Sequence, residues 1–228
     1  MKTERVSPKI AFGRREHGKG MNATDEVEFY SKIWSPRKAG FAFSHYAKKA
    51  LKLKPDAKQI ADVGTGPGTW AIQLAKLSGV KVKAVDLAPN MLKKANEYAI
   101  RMGVEIETFE ADCENLPFAD SSIDLAVSSS LIHMLEDPVP FFKELKRVVK
   151  SGGKALITAF RRDTWKIIRT MADLSGKTFY KNSPLDGMGA VFDASFTKEE
   201  LASALNKAGL DSFHIKQGII TLQITINF

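Results

Sequence analysis

Between residues 59 and 160, short apolar runs alternate with segments whose apolar residues recur every three or four positions. KQIADV, VKVKAVD, EIETFEAD, SSIDLAVSSS and KALITAF read as strands. TWAIQLAKLSG, PNMLKKANEYAIRMG and DPVPFFKELKRVVKSGG read as helices between them. Gly79 and Gly103 supply stop signals, and Pro89 sits near a helix start. Leu92, Ala95, Ala99 and Met102 make one buried helical stripe. Strands that alternate with helices must lie in a mostly parallel sheet covered on both faces. FTKEELASALNKAGL opens with a capping box, Thr197 to Glu200, and stops at Gly209. The final segment, FHIKQGIITLQITINF, reads as two strands. Ile220, Leu222, Ile224 and Ile226 share one parity, which predicts a late antiparallel edge strand with one wetter face.

The chain has 228 residues, enough for one substantial core. No apolar run is long enough to span a bilayer. The first twenty residues are basic without an apolar core, unlike a secretory signal. Cys113 is the single cysteine, which excludes internal disulfides and cysteine clusters for a metal. A cytoplasmic protein is expected. The formal net charge is +8, with Lys and Arg concentrated in 2–19, 48–58 and 161–181. Such a surface either is merely solvated or attracts an anionic substrate, a nucleic acid or an acidic lipid face.

Two pieces stand outside the alternation. Residues 1–24 form a basic arm without periodicity, and 25–57 form a helical cap rich in aromatics around Pro36. Phe29, Tyr30, Trp34, Phe41, Phe43 and Tyr46 there either pack or wall a pocket. The main domain covers 58–228, with a polar, turn-rich, lid-like insertion at 161–195.

ADVGTGPGTW, residues 61–70, places three glycines between a strand and a helix. Such a turn exposes backbone N–H groups at the carboxyl edge of a parallel sheet, where open α/β sheets bind ligands. Asp86 ends the second strand and can accept hydrogen bonds from a ribose diol. Asp112 and the Cys113 backbone follow the third strand and suit an adenine edge. The dinucleotide fingerprint wants glycine at 69, where the chain has Thr69, and no phosphate-loop Gly-Lys-Ser/Thr is present.

DVGTGPG, VDLAPNML, ADCENLPFADSSIDLAV and ELKRVVKSGGKALI, in that order, resemble the motifs of class I S-adenosylmethionine-dependent methyltransferases. The resemblance is strongest to the small-molecule group related to ubiquinone/menaquinone-biosynthesis methyltransferases. It covers 58–160 well and 196–228 in general pattern. It implies a Rossmann-like α/β fold: a mostly parallel seven-stranded sheet, an antiparallel last strand, helices on both faces. It implies S-adenosylmethionine as cofactor. Asp62, Gly64, Thr65, Gly66 and Gly68 would form the methionine side of its site. Asp86 and Leu87 would meet the ribose and adenine face, and Asp112 and Cys113 the adenine edge. Ser128 or Ser129 would border the methionine tail. Pro67 departs from the usual motif and lacks a donor.

Methyl transfer from a sulfonium requires alignment of a nucleophile, and no obligatory base. His133 is the acid–base candidate, set against a packing role. Tyr30, Trp34, Arg161 and Arg162 are the candidate substrate contacts, the arginines for a carboxylate or phosphate. The implied activity is methylation of a small or medium-sized acceptor, anionic if the arginines bind it. The alternatives are an RNA or protein methyltransferase, an NAD-binding oxidoreductase and a non-catalytic binding protein.

Overall fold

The computed structural model describes residues 21, 23–163 and 191–228. The arm at 1–20 and most of the insertion, 164–190, lie outside the described residues. Two helices come first, α1 (Thr24–Ile33) and α2 (Pro36–Leu53), split where the sequence places Pro36. Then follow β1 (Ile60–Val63), α3 (Thr69–Ser78), β2 (Val82–Asp86), α4 (Pro89–Arg101) and β3 (Ile106–Glu110). The second half has β4 (Ile123–Ser129), α5 (Val139–Val148), β5 (Val149–Phe160), α6 (Lys198–Lys207), β6 (Phe213–Gln217) and β7 (Thr221–Asn227).

The seven strands form one sheet in the order β3-β2-β1-β4-β5-β7-β6. The first five pair in parallel, while β7 runs antiparallel to both β5 and β6. The four residues of β1 are all buried, as a central strand covered on both faces requires. The alternation in β7 holds, with Leu222, Ile224 and Ile226 fully buried. Its position differs from the expectation: β7 is inserted between β5 and β6, and β6 is the edge. Ile220 falls outside the strand and is 39% exposed. Parity reports which face is buried, and carries no information about how many neighbours a strand has.

Local chemistry sets the helix ends. Gly79 takes φ 69° and closes α3, and Thr197 and Glu200 make the reciprocal capping box of α6. In α4, Leu92, Ala95 and Ala99 are buried, but Met102, which caps the helix, is 37% exposed. Met91 is buried instead. The two N-terminal helices are tied to this scaffold. Gly40 of α2 lies so near α3 that a Cβ there would come within 3.3 Å of the Gln73 amide. Thr69 donates its hydroxyl proton to the Trp34 carbonyl, and the Tyr98 hydroxyl donates to the Ser31 carbonyl at 3.3 Å. No helix among the described residues is long and apolar enough to cross a membrane.

Candidate functional site

Strand order reverses between β1 and β4, and the carboxyl ends of β1, β2, β3 and β4 open there onto one crevice. The loop after β1 is built by left-handed glycines. Gly64, Gly66 and Gly68 have φ of 70°, 54° and 77°. Beneath the loop lies Asp62, 2% exposed. Its Oδ2 accepts from the Thr65 hydroxyl at 2.7 Å and from the Ala71 N–H at 3.0 Å, which locks the loop onto the first turn of α3. Burial, with the Asp86 charge adding to it, pushes the Asp62 carboxyl up to about 7 against those two bonds.

Asp86 stands opposite at the end of β2. Its Oδ2 accepts from the Gly66 N–H at 2.7 Å and its Oδ1 from the Ala88 N–H at 2.9 Å. Burial raises its pKa as well, against those backbone bonds. The glycine loop, Asp86 and the loops after β3 and β4 enclose a cavity of about 310 Å³. That volume lies at the lower end of small-molecule sites, roughly 300–1,000 Å³. Val85, Leu87, Met91, Leu131 and Leu135 supply apolar walls. Tyr30 closes one side: its ring edge is 3.5 Å from the place a Gly66 Cβ would occupy. Burial and the Asp86 charge hold the Tyr30 phenol well above its ordinary pKa, so it stays neutral.

Residues 61–157 match a methyltransferase-domain family model. The chain is 29% identical over 183 residues to the demethylmenaquinone methyltransferase of Bacillus cytotoxicus, covering 74% of this chain and 76% of that protein. It is 35% identical over 112 residues to phosphoethanolamine N-methyltransferase 3 of Arabidopsis thaliana, covering 49% of this chain and 23% of the plant enzyme. The chain thus spans about a quarter of the plant relative's length. A Methanococcus maripaludis crystal structure, described as a candidate S-adenosyl-L-methionine-dependent methyltransferase, superposes with a TM-score of 0.69 at 24% identity. That superposition covers 94% of this chain and 97% of the other. Residues 61–157 thus form a methyltransferase domain, and the sheet around it has the fold of the class I S-adenosylmethionine-dependent methyltransferases.

The cavity can be tested against the cofactor of that family. The Asp86 carboxyl, held by backbone N–H groups on both oxygens, lines the cavity as an acceptor suited to the hydroxyls of a ribose diol. Gly64 and Gly66 both line the cavity and present backbone to it without a side chain. The apolar walls suit the faces of a planar base. The donor set and the shape therefore fit a nucleoside with a charged tail.

Among the residues expected from sequence, Gly64, Gly66, Asp86, Leu87, Asp112, Cys113, Ser129 and Tyr30 all line this one cavity. Thr65 and Trp34 line only a small adjoining space behind Gly66, together with Asp62 and Phe43. Asp62 acts on the loop from below and does not reach the main cavity. Gly68 lines neither space: its missing side chain lets the loop pack on α4, where a Cβ would come 2.7 Å from that of Ala95. Ser128 is 2% exposed with its hydroxyl unpartnered, and points away from the cavity that Ser129 faces. Period-two alternation along β4 decides between those two serines. Burial also pushes the Cys113 thiol well up, so it is an inert wall residue.

Three expected side chains fall elsewhere. His133 lies in a short 3₁₀ turn, Ile132–Met134, 5% exposed and packed edge-on against Phe160 at 6.1 Å between ring centroids. Burial pushes its pKa down to about 4, and its Nδ1 has no partner among the described residues. It does not line the cavity. Arg161 is occupied by Asp163 and by the Gly218 carbonyl, the latter at 2.8 Å. Arg162 pairs with Glu200. Neither arginine lines the cavity: Arg161 is held at the Gly218 turn between β6 and β7, and Arg162 at the start of α6.

Sequence reading missed the residues that shape the far wall. Ser130 follows β4 with φ 55°, held by its N–H to the Thr158 carbonyl at 2.9 Å, and lines both spaces. A non-glycine residue in that region is strained, and such strain gathers at functional sites. Glu136, Asp137 and Pro140 complete the wall. Arg147 acts from outside. It holds the Leu116 and Phe118 carbonyls at 3.0 and 2.8 Å, while its partner Glu144 accepts the Leu116 N–H at 2.6 Å. That pair fixes the segment following Asp112–Glu114. The only sequence signal was a Glu and an Arg three apart in ELKRVV, which reads equally as a solvated helix face.

Proposed function

We propose that this chain transfers the methyl group of S-adenosylmethionine to a small or medium-sized acceptor. The observation that carries the reading is the cavity itself: bare backbone at Gly64 and Gly66, a carboxyl acceptor fixed by backbone N–H groups at Asp86, and Tyr30 closing it from the side. Two relatives named for methylation of small molecules support the acceptor class.

When bound, the cofactor supplies an activated methyl on a sulfonium. Asp86 would hold the ribose hydroxyls, Leu87 the adenine face, and Asp112 and the Cys113 backbone the adenine edge. Gly64 and Gly66 would border the methionine portion beside Ser129. Asp62 and Thr65 keep that loop in shape, and Gly68 lets it sit on α4. Tyr30 and Trp34 exclude water from the loop side. The first two helices, 25–57, serve as the cap of a methyltransferase domain at 58–228, and 161–195 as its lid. Of the basic arm at 1–24, Met21 is buried against Val27, Ala88 and Met91 and lines the cavity, and Thr24 begins α1, so the end of that segment belongs to the site. His133 is assigned to packing: it does not line the cavity, and burial holds its pKa down to about 4, which makes it a weak base. An acceptor already nucleophilic at neutral pH needs no base. A cytoplasmic setting fits the single buried cysteine.

Calorimetry with S-adenosylhomocysteine tests the site. Asp86→Asn replaces one acceptor with a donor that faces a backbone N–H, so affinity should fall at least about tenfold, given roughly 1.5–3 kcal/mol for a charge-assisted hydrogen bond. Equal binding by wild type and variant would end the assignment. Labelled S-adenosylmethionine incubated with fractionated metabolites, and separately with RNA and protein, then identifies the acceptor class. Label confined to RNA or protein would refute the small-molecule reading.

A further inference from the structure

Helix α2 carries five cationic residues and no acidic one in PRKAGFAFSHYAKKALKL. Its inner face is buried through Gly40, Ala47 and Ala50 against the main domain. The outward positions Lys38, Phe41, His45, Lys48 and Lys52 are spaced three and four apart and form one exposed stripe. Over fourteen residues that stripe is about 21 Å long. Phe41 is 93% exposed, the most exposed large apolar side chain among the described residues. Trp34 and Phe43, by contrast, pack together at 6.1 Å between centroids, beside Trp70.

The charges on the stripe are unspent. Among the described residues, Arg37, Lys38, Lys48 and Lys52 make no ion pair. The acids nearest its end are engaged, Asp56 with Lys54 and Asp124 with Lys150. Lys49 is the exception, half-buried and donating to Gln223 of β7, and it feels the further positive charge of Lys216 on β6. Beyond Lys48 and Lys52 the stripe opens into a shallow groove of about 700 Å³. Lys58 and His45 also line it, over Leu77 and Val80, and no acidic residue does.

A cluster of uncompensated cations invites an anionic partner. Shape and Phe41 choose among the anions. The stripe is one exposed face of a single helix, which can lie along a plane, and Phe41 is its one exposed Phe, Tyr or Trp, where base stacking on a polynucleotide calls for several. An aromatic side chain standing free between lysines gains by leaving water for an interfacial layer, and lysine stems reach headgroups while their heads stay wet. We propose that the exposed face of α2 docks the protein on an anionic lipid bilayer, with Lys38, Lys48 and Lys52 meeting headgroups and Phe41 entering the interface. Charge and an apolar anchor are the two signals that reversible peripheral binding requires. The inference stands independently of the methyl-transfer reading.

The test is co-sedimentation of the full chain with vesicles of phosphatidylcholine alone and of phosphatidylcholine mixed with phosphatidylserine. The mixed vesicles should capture the protein, less so as salt rises, and the neutral ones should not. Each lysine near the surface contributes about fivefold, so K38Q/K48Q/K52Q together should lose about a hundredfold in partition coefficient. Phe41→Ser should lose several-fold with the salt dependence unchanged. All four positions are exposed, and a melting temperature equal to wild type shows the variants intact. The proposal is overturned if the triple variant and Phe41→Ser partition like wild type, since another basic segment then does the binding. It is overturned equally by indifference to phosphatidylserine, or by lysine-dependent binding to an RNA oligonucleotide without vesicle binding.

Discussion

Alanine at Gly66 and alanine at Gly68 should do different things, though the residues are two apart in one loop. Both have positive φ, 54° and 77°. Each substitution therefore costs roughly 1–2 kcal/mol in backbone strain. At 68 the new methyl would also lie 2.7 Å from the Cβ and 3.1 Å from the Cα of Ala95. Ala95 is fully buried in α4, so the clash is with backbone that cannot turn aside. Overpacking of that kind adds roughly 1–3 kcal/mol, for a total of about 2–5 kcal/mol. For a chain of this size that lowers the melting temperature by about 4–20 °C. At 66 the methyl meets only the Tyr30 ring edge at 3.5 Å, an ordinary contact. The loss there is the strain alone, about 2–8 °C. Binding should run the other way. The methyl at 66 stands in the cavity wall and disturbs the N–H held by Asp86. S-adenosylhomocysteine affinity should drop at least about tenfold, or 1.4 kcal/mol. Folded Gly68→Ala should bind within about threefold of wild type, a difference of roughly 0.7 kcal/mol. Thermal melts by circular dichroism and titration calorimetry give both orderings. A Gly66→Ala protein that melts lower than Gly68→Ala, or binds better, would refute this division of labour in the loop.

Asp62 should leave a signature in the pH dependence of stability. Its folded pKa of about 7 lies above the ordinary 3.8, so the folded state holds a proton that the unfolded state releases between those values. Its contribution therefore favours the fold most at low pH and declines as pH rises through that window. Denaturant titrations of Asp62→Asn against wild type should show that relative decline vanish in the variant; a wild-type advantage that grows with pH would contradict the sign. Arg147→Met strips the carbonyls of Leu116 and Phe118 of their donor and leaves Glu144, 9% exposed, without its cation. It should cost about 2–3 kcal/mol in denaturant stability and weaken S-adenosylhomocysteine binding through the loosened Asp112 segment. Replacing His133 with leucine removes an unpartnered buried nitrogen, whose burial costs about 1–3 kcal/mol, in exchange for the ring contact with Phe160. Stability should stay within about 1 kcal/mol of wild type and turnover of the identified acceptor within a few-fold; a hundredfold loss of turnover with unchanged cofactor affinity would restore it as a catalytic residue.

Some of this molecule is written in order along the chain. The alternation of apolar runs with helical stripes fixed the parallel half of the sheet, since strands buried on both faces have no other arrangement. Gly79, Pro89 and the Thr197–Glu200 box marked helix ends, because caps depend on chemistry within a few residues. DVGTGPG, Asp86 and Asp112 pointed to one crevice for the same reason: each sits at the end of its own strand, and parallel strands end on the same edge. Other matters were decided only when distant segments met. Nothing local distinguishes Gly66, which faces the cavity, from Gly68, which faces Ala95 from another helix. The arginines after β5 looked free until Asp163, Gly218 and Glu200 arrived beside them. β7 kept its predicted parity yet became an interior strand, because β6, earlier in sequence, took the edge. His133 was legible as a histidine near a strand end, but its burial against Phe160, which decides its charge, depends on a neighbour twenty-seven residues away. Local sequence encodes periodicity, caps and strand ends; solvent access and partnership belong to pairs of residues far apart in the chain, and only the tertiary structure pairs them.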